Sequence, residues 1–313
     1  MAWIKQGLIL KPNENESGNS HLQVPTVLVK DDCLRVYYAG RFQSGDNKGN
    51  SYTSYVDLDL NDFKNILYHH KKPIISFGKP GTFDDEGVMP SEIIQKGDDL
   101  LLYYSGWNKR VTIPYHNATG VAVSKDGGAR FERIFDGPVL DRIATEPYLA
   151  VTPSILIENN EWKMWYISGL RWVKIKNKFE PVYAIKYATS TDGFNWDRKG
   201  NICIPQSHEF EAFSRPSVIK HNDIYRMWFC CRDSIDYRDG IGSYRMGYAE
   251  SIDGVDWKRL DNLSGIDLST REEDWDSKMI CYPYVKKIKN SIYMFYNGNG
   301  FGQSGFGYAK WIE

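Results

Sequence analysis

Residues 150–172 read AVTPSILIENNEWKMWYISGLRW. A short apolar run follows Pro153, Asn159-Asn160 interrupts it, and an aromatic-rich run returns to Gly169. Two alternating stretches separated by a polar two-residue turn spell a β-hairpin, because Asn tolerates the left-handed conformation such turns require. The same statement is made four more times: LQVPTVLVKDDCLRVYYAGR (22–41), GVMPSEIIQKGDDLLLYYSGWN (87–108), FSRPSVIKHNDIYRMWFCCRD (213–233) and CYPYVKKIKNSIYMFYNGNG (281–300). The aligned prolines, Pro25, Pro90, Pro153, Pro216 and Pro283, lie 65, 63, 63 and 67 residues apart. A repeat of this kind is one supersecondary unit that buries its faces against its neighbours.

A third strand follows the hairpin: GVAVSKDGGARF (120–131), IKYATSTDGFNW (185–196), MGYAESIDGVDW (246–257) and FGYAKW (306–311). Three of these carry Ser-x-Asp-Gly and an aromatic, which reads as a tight turn opening a fourth strand rather than as chemistry. The first unit has SYTSYVDLDLNDF (51–63), a diverged copy. The last unit stops after its third strand, whereas residues 3–9 resemble residues 196–202, the fourth strand of the third unit. The N-terminal strand is therefore expected to pair into the last unit. The predicted fold is all-β: a five-bladed β-propeller of four-stranded antiparallel blades over residues 1–313, one domain, closed by the N-terminal strand in blade five.

Composition agrees and narrows the partners. Of 313 residues, 14% are aromatic, with 21 Tyr and 10 Trp, a β-rich signature. The net charge is −1 with no basic stripe, which speaks against nucleic acid or an acidic membrane as partner. The five cysteines form no CxxC pair and leave one over, which predicts a reducing, cytoplasmic setting. The six histidines show neither HxH nor HExxH spacing, so no metal site and no cofactor is expected. The N-terminal stretch lacks the apolar segment of a signal peptide, and a monomer is expected.

In this strand order the start of strand one and the end of strand two share one face, so the flanking residues surround one end of a central channel. After strand two stand Arg41, Trp107, Arg171, Trp172, Arg232, Asp233 and Asn297, and the longer loops add Tyr115, His116, Tyr237 and Arg238. Before the prolines stand His21, Glu86, Met89, Thr152, Arg215 and Tyr282, with Glu146, Glu209, Glu211, Asp274 and Asp276 upstream. Phe83-Asp84, Phe210-Glu211 and Trp275-Asp276 recur, which marks Asp84 and Asp276 as structural. Glu86 and Arg215 have no counterparts in the other units. Glu92 breaks an apolar column formed by Val27, Ile155, Val218 and Val285, so it is either paired as scaffold or a tuned acid. Arg41, Arg171, Arg215 and Arg232 at one channel mouth suggest a ligand bearing carboxylate or phosphate. Trp107, Trp172 and Tyr237 offer stacking faces.

The five units, the Ser-x-Asp-Gly turns and the closing strand resemble the five-bladed glycoside hydrolases of families 43, 62, 32 and 68 and the mannoside phosphorylases of family 130. The resemblance implies carboxylate acid/base catalysis at the channel mouth. It also implies an aspartate near the start of blade one, where this chain reads His21-Leu22-Gln23-Val24-Pro25. The acid expected in blade three meets Ala150-Val151-Thr152-Pro153. The carboxylates expected to serve instead are Glu86 with Asp233 or Glu211, and His116 is a candidate proton carrier. The substrate-binding set is Arg41, Trp107, Tyr115, Arg171, Trp172, Arg215, Arg232, Tyr237, Arg238 and Asn297. Two readings follow. One is an inverting glycosidase-like or phosphorylase-like enzyme acting on a small, negatively charged sugar or sugar conjugate. The other is a non-catalytic propeller that binds a carbohydrate or acidic ligand. Two carboxylates about 5–9.5 Å apart on the channel face would mark the enzyme.

Overall fold

The computed structural model describes residues 2–12, 19–43, 45–238 and 241–312. The chain opens with β1 (Ala2–Leu10) and then builds four-stranded units. The first is β2 (Asn19–Val29), β3 (Leu34–Phe42), β4 (Ser51–Leu58) and β5 (Ile66–His69). The second is β6 (Gly87–Lys96), β7 (Asp99–Lys109), β8 (Tyr115–Ser124) and β9 (Glu132–Arg133). The third is β10 (Ala150–Glu158), β11 (Glu161–Ile175), β12 (Lys178–Ser190) and β13 (Asp197–Ile202), and the fourth is β14 (Glu211–His221), β15 (Ile224–Asp233), β16 (Arg245–Ser251) and β17 (Lys258–Arg259). The last comprises β18 (Cys281–Ile288), β19 (Ser291–Asn297) and β20 (Phe306–Ile312), completed by β1, which lies antiparallel to β20 with Trp3 opposite Trp311. Strands within a unit are antiparallel neighbours in chain order. The first strands touch in a cycle, β2 with β6, β6 with β10, β10 with β14, β14 with β18, and β18 with β2. Helix is confined among the described residues to short turns, and none is long and apolar enough to cross a membrane.

The sequence signals have physical counterparts. Asn159 and Asn160 both take positive φ, as the two-residue turn requires, and so do Asn222 and Asp223. Each Ser-x-Asp-Gly box is tied by its aspartate. Asp192 Oδ1 accepts the amides of Phe194 and Asn195, and Asp253 Oδ1 those of Val255 and Asp256. These turns also staple units together. Tyr37 donates to Gly128 O, Tyr103 to Gly193 O and Trp165 to Gly254 O, each reaching from one unit into the next. Tyr37, Tyr103 and Trp165 are fully buried, so each staple adds about 0.5–1.5 kcal/mol to the apolar packing between units.

A second recurring device closes the outer edge. A carboxylate just before or at the start of a unit's first strand reaches a basic residue of its fourth strand. Asp84 accepts from Tyr104 Oη and Arg133 Nε, both at 2.8 Å. Asp276 accepts from Tyr296 Oη at 2.8 Å and pairs with Lys5 at 2.7 Å. Glu146 accepts from Tyr166 and Ser168, with Lys186 and Arg198 at 3.6 Å. Glu211 grips Arg259 with both oxygens at 2.6 and 2.9 Å. All four carboxylates are buried.

The prolines mark bulges. The register between first and second strands slips at Gln23/Thr26, Pro90/Glu92, Val151/Ser154, Ser214/Ser217 and Cys281/Tyr284. In four units the residue before proline holds positive φ: Val24, Thr152, Arg215 and Tyr282. The left-handed region is sparsely used by non-glycine residues, so its recurrence marks a constrained, re-aimed backbone.

Candidate functional site

The bulges, the ends of the second strands and the starts of the third strands converge on a cavity of about 530 Å³. A shallower depression of about 570 Å³ lies between β16 and the 261–267 segment. Its arginine, Arg245, is already bonded to Ser243 and to Lys278 O, and it has no aromatic wall. The chemistry gathers in the first.

Three guanidiniums line that cavity: Arg41 from β3, Arg232 from β15 and Arg238 from the loop beyond it. Arg232 is buried and donates to Tyr244 Oη at 3.1 Å, Ser234 Oγ at 3.0 Å and Pro181 O at 2.8 Å. None of these acceptors is a carboxylate. Its guanidinium carbon sits 3.8 Å from the centre of the Tyr237 ring, a cation–π contact. Arg238 is held in a fork by Glu180, with both bonds at 3.0 Å, and Tyr237 Oη donates to the same carboxylate at 2.7 Å. Burial disfavours the charge of Glu180, but these hydrogen bonds outweigh it and hold its pKa below the usual range. Burial pulls Arg41 below the ordinary guanidinium range, and the nearby Arg238 charge adds to this. Lys109 also lines the cavity, with Glu86 as its partner at 2.7 Å. No Asp or Glu is among the described residues of the lining.

The walls are otherwise aromatic and polar. Tyr115 and Tyr183 share a hydroxyl–hydroxyl contact of 2.9 Å, and burial pushes both phenols up, so they stay protonated. Tyr244, Tyr282, Trp107 and Phe301 complete the apolar surface. Trp107 lies flat against Gly87, where a Cβ would fall 1.7 Å from its indole nitrogen, so only glycine admits that pose. Five lining residues carry a buried polar atom without a hydrogen-bond partner: Gln23 Oε1, Arg41 Nε, Trp107 Nε1, Asn117 Oδ1 and Thr152 Oγ1. Buried polar atoms are normally paired, so this concentration fits a ligand rich in hydroxyls.

His21 on β2 is the remaining titratable group of the lining. Its Nδ1 lies 2.6 Å from Ser20 Oγ. Burial, assisted by the Arg41 charge, lowers its pKa to about 4, so it is neutral at physiological pH.

Of the residues expected from sequence, the cavity brings together Arg41, Trp107, Tyr115, Arg232, Tyr237 and Arg238. His21, Met89, Thr152 and Tyr282, expected from their places before the prolines, line it as well, and the remaining residues lie outside the lining. Glu211 belongs to the edge clasp with Arg259. Asp233 caps the amide of Ile235 at 2.8 Å. Glu86 is tied to Lys109, whose hydrogen bonds outweigh burial and keep it ionised, unsuited to donating a proton. His116 is buried against Asp141 at 2.8 Å, because alternation on β8 turns it away from the face that carries Tyr115 and Asn117. Arg171 and Trp172 are carried past the mouth because β11 continues to Ile175; Arg171 bonds Glu209 O and Trp172 packs edge-on against Tyr115. Arg215 donates to Pro25 O and Thr26 Oγ1, linking the fourth unit to the first, and burial lowers its pKa to about 10. Asn297 bonds Val24 N, Leu22 O and Gly305 O. Glu92 accepts from Tyr284 Oη at 2.6 Å and from the amides of Ile93 and Ile155, the scaffold role rather than an acid's. Asn117, Tyr183 and Tyr244 escaped the sequence reading, although strand starts opposite strand-two ends share the same face.

Two curated proteins of Mycobacterium tuberculosis, "Uncharacterized protein MT1551" and "Uncharacterized protein Rv1502", are each 37% identical to this protein over 312 residues, 99% of its length and 99% of theirs. It belongs to their family. No protein-family model matches it. Among solved structures, one named "Glycoside hydrolase" aligns with TM-score 0.72 and 19% identity, over 98% of this protein and 90% of that one. A structure reported under "The GH130 family of mannoside phosphorylases contains glycoside hydrolases that target beta-1,2 mannosidic linkages in Candida mannan" aligns with TM-score 0.70 and 15% identity, over 99% and 93%. An N-acetylgalactosamine deacetylase from F. plautii, in complex with blood group B trisaccharide, aligns with TM-score 0.65 and 11% identity, over 99% and 95%. At these identities the likeness is one of fold, shared with proteins named for different reactions.

Proposed function

We propose that this protein is a glycosidase-like enzyme, one closed five-bladed propeller domain, that cleaves or transfers the glycosyl group of a negatively charged sugar. The observation that carries the reading is a pair of cavity guanidiniums, Arg41 and Arg232, that hydrogen-bond to no carboxylate among the described residues, in a wall where several buried polar atoms also lack partners. Uncompensated buried charge is costly, and an anionic ligand offsets that cost. The orphan donors and acceptors suit sugar hydroxyls, and the aromatic faces suit a pyranose ring. The cyclic contact of the first strands supports ring closure. The free thiols of all five cysteines suit a reducing, cytoplasmic setting, and the protein acts as a monomer on a small molecule.

The classical pair of carboxylates is not found among the described residues of the lining, and this favours a second reading, a non-catalytic binder of the same ligand class. Calorimetry with a sugar and its phosphate ester tests the shared claim. The phosphate ester should bind at least about tenfold more tightly, and Arg41→Met should remove the difference. Equal affinity for the two would sink the anionic reading. Turnover of the phosphate ester separates the enzyme from the binder.

A further inference from the structure

The cavity holds several cations and phenols but almost nothing that can accept a proton. Arg41, Arg232 and Arg238 are guanidinium cations, and burial holds Tyr115, Tyr183, Tyr237, Tyr244 and Tyr282 in their protonated form. Two carboxylates among the described residues pair with lining side chains, Glu180 with Arg238 and Glu86 with Lys109. His21 alone among the lining side chains is a base available at neutral pH. Ser20 on its own strand fixes one ring nitrogen, and Arg41 on the adjacent β3 is the charge that acts on it.

We infer that His21 is the proton acceptor of this cavity, taking the proton of the attacking hydroxyl when the substrate's anionic group occupies the guanidiniums. This rests on the anionic-sugar reading above and names the anion as the leaving group. With Nδ1–H donated to Ser20 Oγ, Nε2 presents the lone pair. Water or an acceptor hydroxyl loses its proton to Nε2 while its oxygen bonds the anomeric carbon. The bond from that carbon to the oxygen of the anionic group breaks, and the electron pair leaves on that oxygen, where Arg41, Arg232 and Arg238 bear the charge. The imidazolium then returns its proton to the departing anion or to solvent. An already anionic leaving group needs no carboxylic acid, which accounts for a lining without one. A single displacement inverts the anomeric centre.

The device is self-timing. In the free protein burial and, second to it, the Arg41 charge suppress protonation of His21; an anion seated on Arg41 lifts the second of these just when a base is required. By linkage, the anion must bind more tightly when His21 is protonated. Sulfate is the probe, because its charge is constant across the range. NMR of the ¹⁵N-histidine-labelled full-length protein, with His21 assigned through His21→Gln, follows titration from neutral pH downward with and without sulfate. Sulfate should raise the His21 midpoint from about 4 by a unit or more. Calorimetry should show sulfate binding tightening about tenfold on acidification. His21→Gln should abolish that dependence. Sulfate bound with no movement of the His21 midpoint overturns the inference and leaves the anion site standing. Absence of sulfate binding overturns both.

Discussion

The edge clasps and the central cavity use the same residue types in opposite ways. At the edges Asp84, Glu146, Glu211 and Asp276 are each buried against a basic side chain and hydroxyl or amide donors. In the cavity Arg41 and Arg232 are enclosed and hydrogen-bond to no carboxylate among the described residues. Charge that is fully paired belongs to the scaffold, and charge left unpaired in a polar hollow is kept for a ligand. The difference teaches where not to look for catalysis, since the most recurrent carboxylates of this protein hold its units together.

The sharpest way to break the comparison is to unpair a clasp. Asp84→Ala strands Arg133 and Tyr104 in a buried setting, and denaturant unfolding should register a loss of about 3–5 kcal/mol. A loss below about 1 kcal/mol would remove the clasp from the account. The mirror substitution, Arg41→Met, should leave stability within about 1 kcal/mol, because it deletes a charge that has no partner to strand. On a glycosyl phosphate, His21→Gln should lower kcat by about a hundredfold or more, the usual contribution of a general base, with KM within a few-fold. Unchanged kcat would return the proton transfer to another group.

A smaller effect sharpens the same contrast. The folded-state pKa of His21 is depressed to about 4, below its ordinary value of 6.5. Its contribution to stability is therefore complete above pH 6.5 and is lost as pH falls toward 4, because the unfolded state takes up the proton more readily. His21→Gln should flatten that part of the pH–stability curve, and an unaltered slope would show that His21 is not depressed.

The sequence made the architecture legible because fold signals repeat: five prolines, Asn- and Asp-containing turns, and three Ser-x-Asp-Gly boxes each returned the same hairpin or turn. It also carried Arg41, Trp107 and Arg232 to the cavity through the rule that strand-two ends share a face, Tyr115, Tyr237 and Arg238 through the longer loops, and His21, Met89, Thr152 and Tyr282 through the places before the prolines. That rule failed where local structure departed from the repeat. The extended β11 displaced Arg171 and Trp172, the left-handed backbone at Arg215 accompanied its bonds to Pro25 and Thr26, and Asn297 became a backbone clamp. Carboxylates were the least legible. Whether Glu211 meets a substrate or Arg259 is decided by a partner 48 residues away, which no local pattern encodes. His21 stood in view at the start of β2, in the stretch where the family resemblance led one to expect an aspartate.

Sulfate calorimetry on three proteins side by side tests the central claim most directly: the native protein, Arg41→Met from the cavity and Arg259→Met from a clasp. The account predicts one sulfate per native molecule, affinity reduced about tenfold or more by Arg41→Met, and native affinity in Arg259→Met despite its lower melting temperature. Native affinity in Arg41→Met, or no sulfate bound to the native protein, would contradict it.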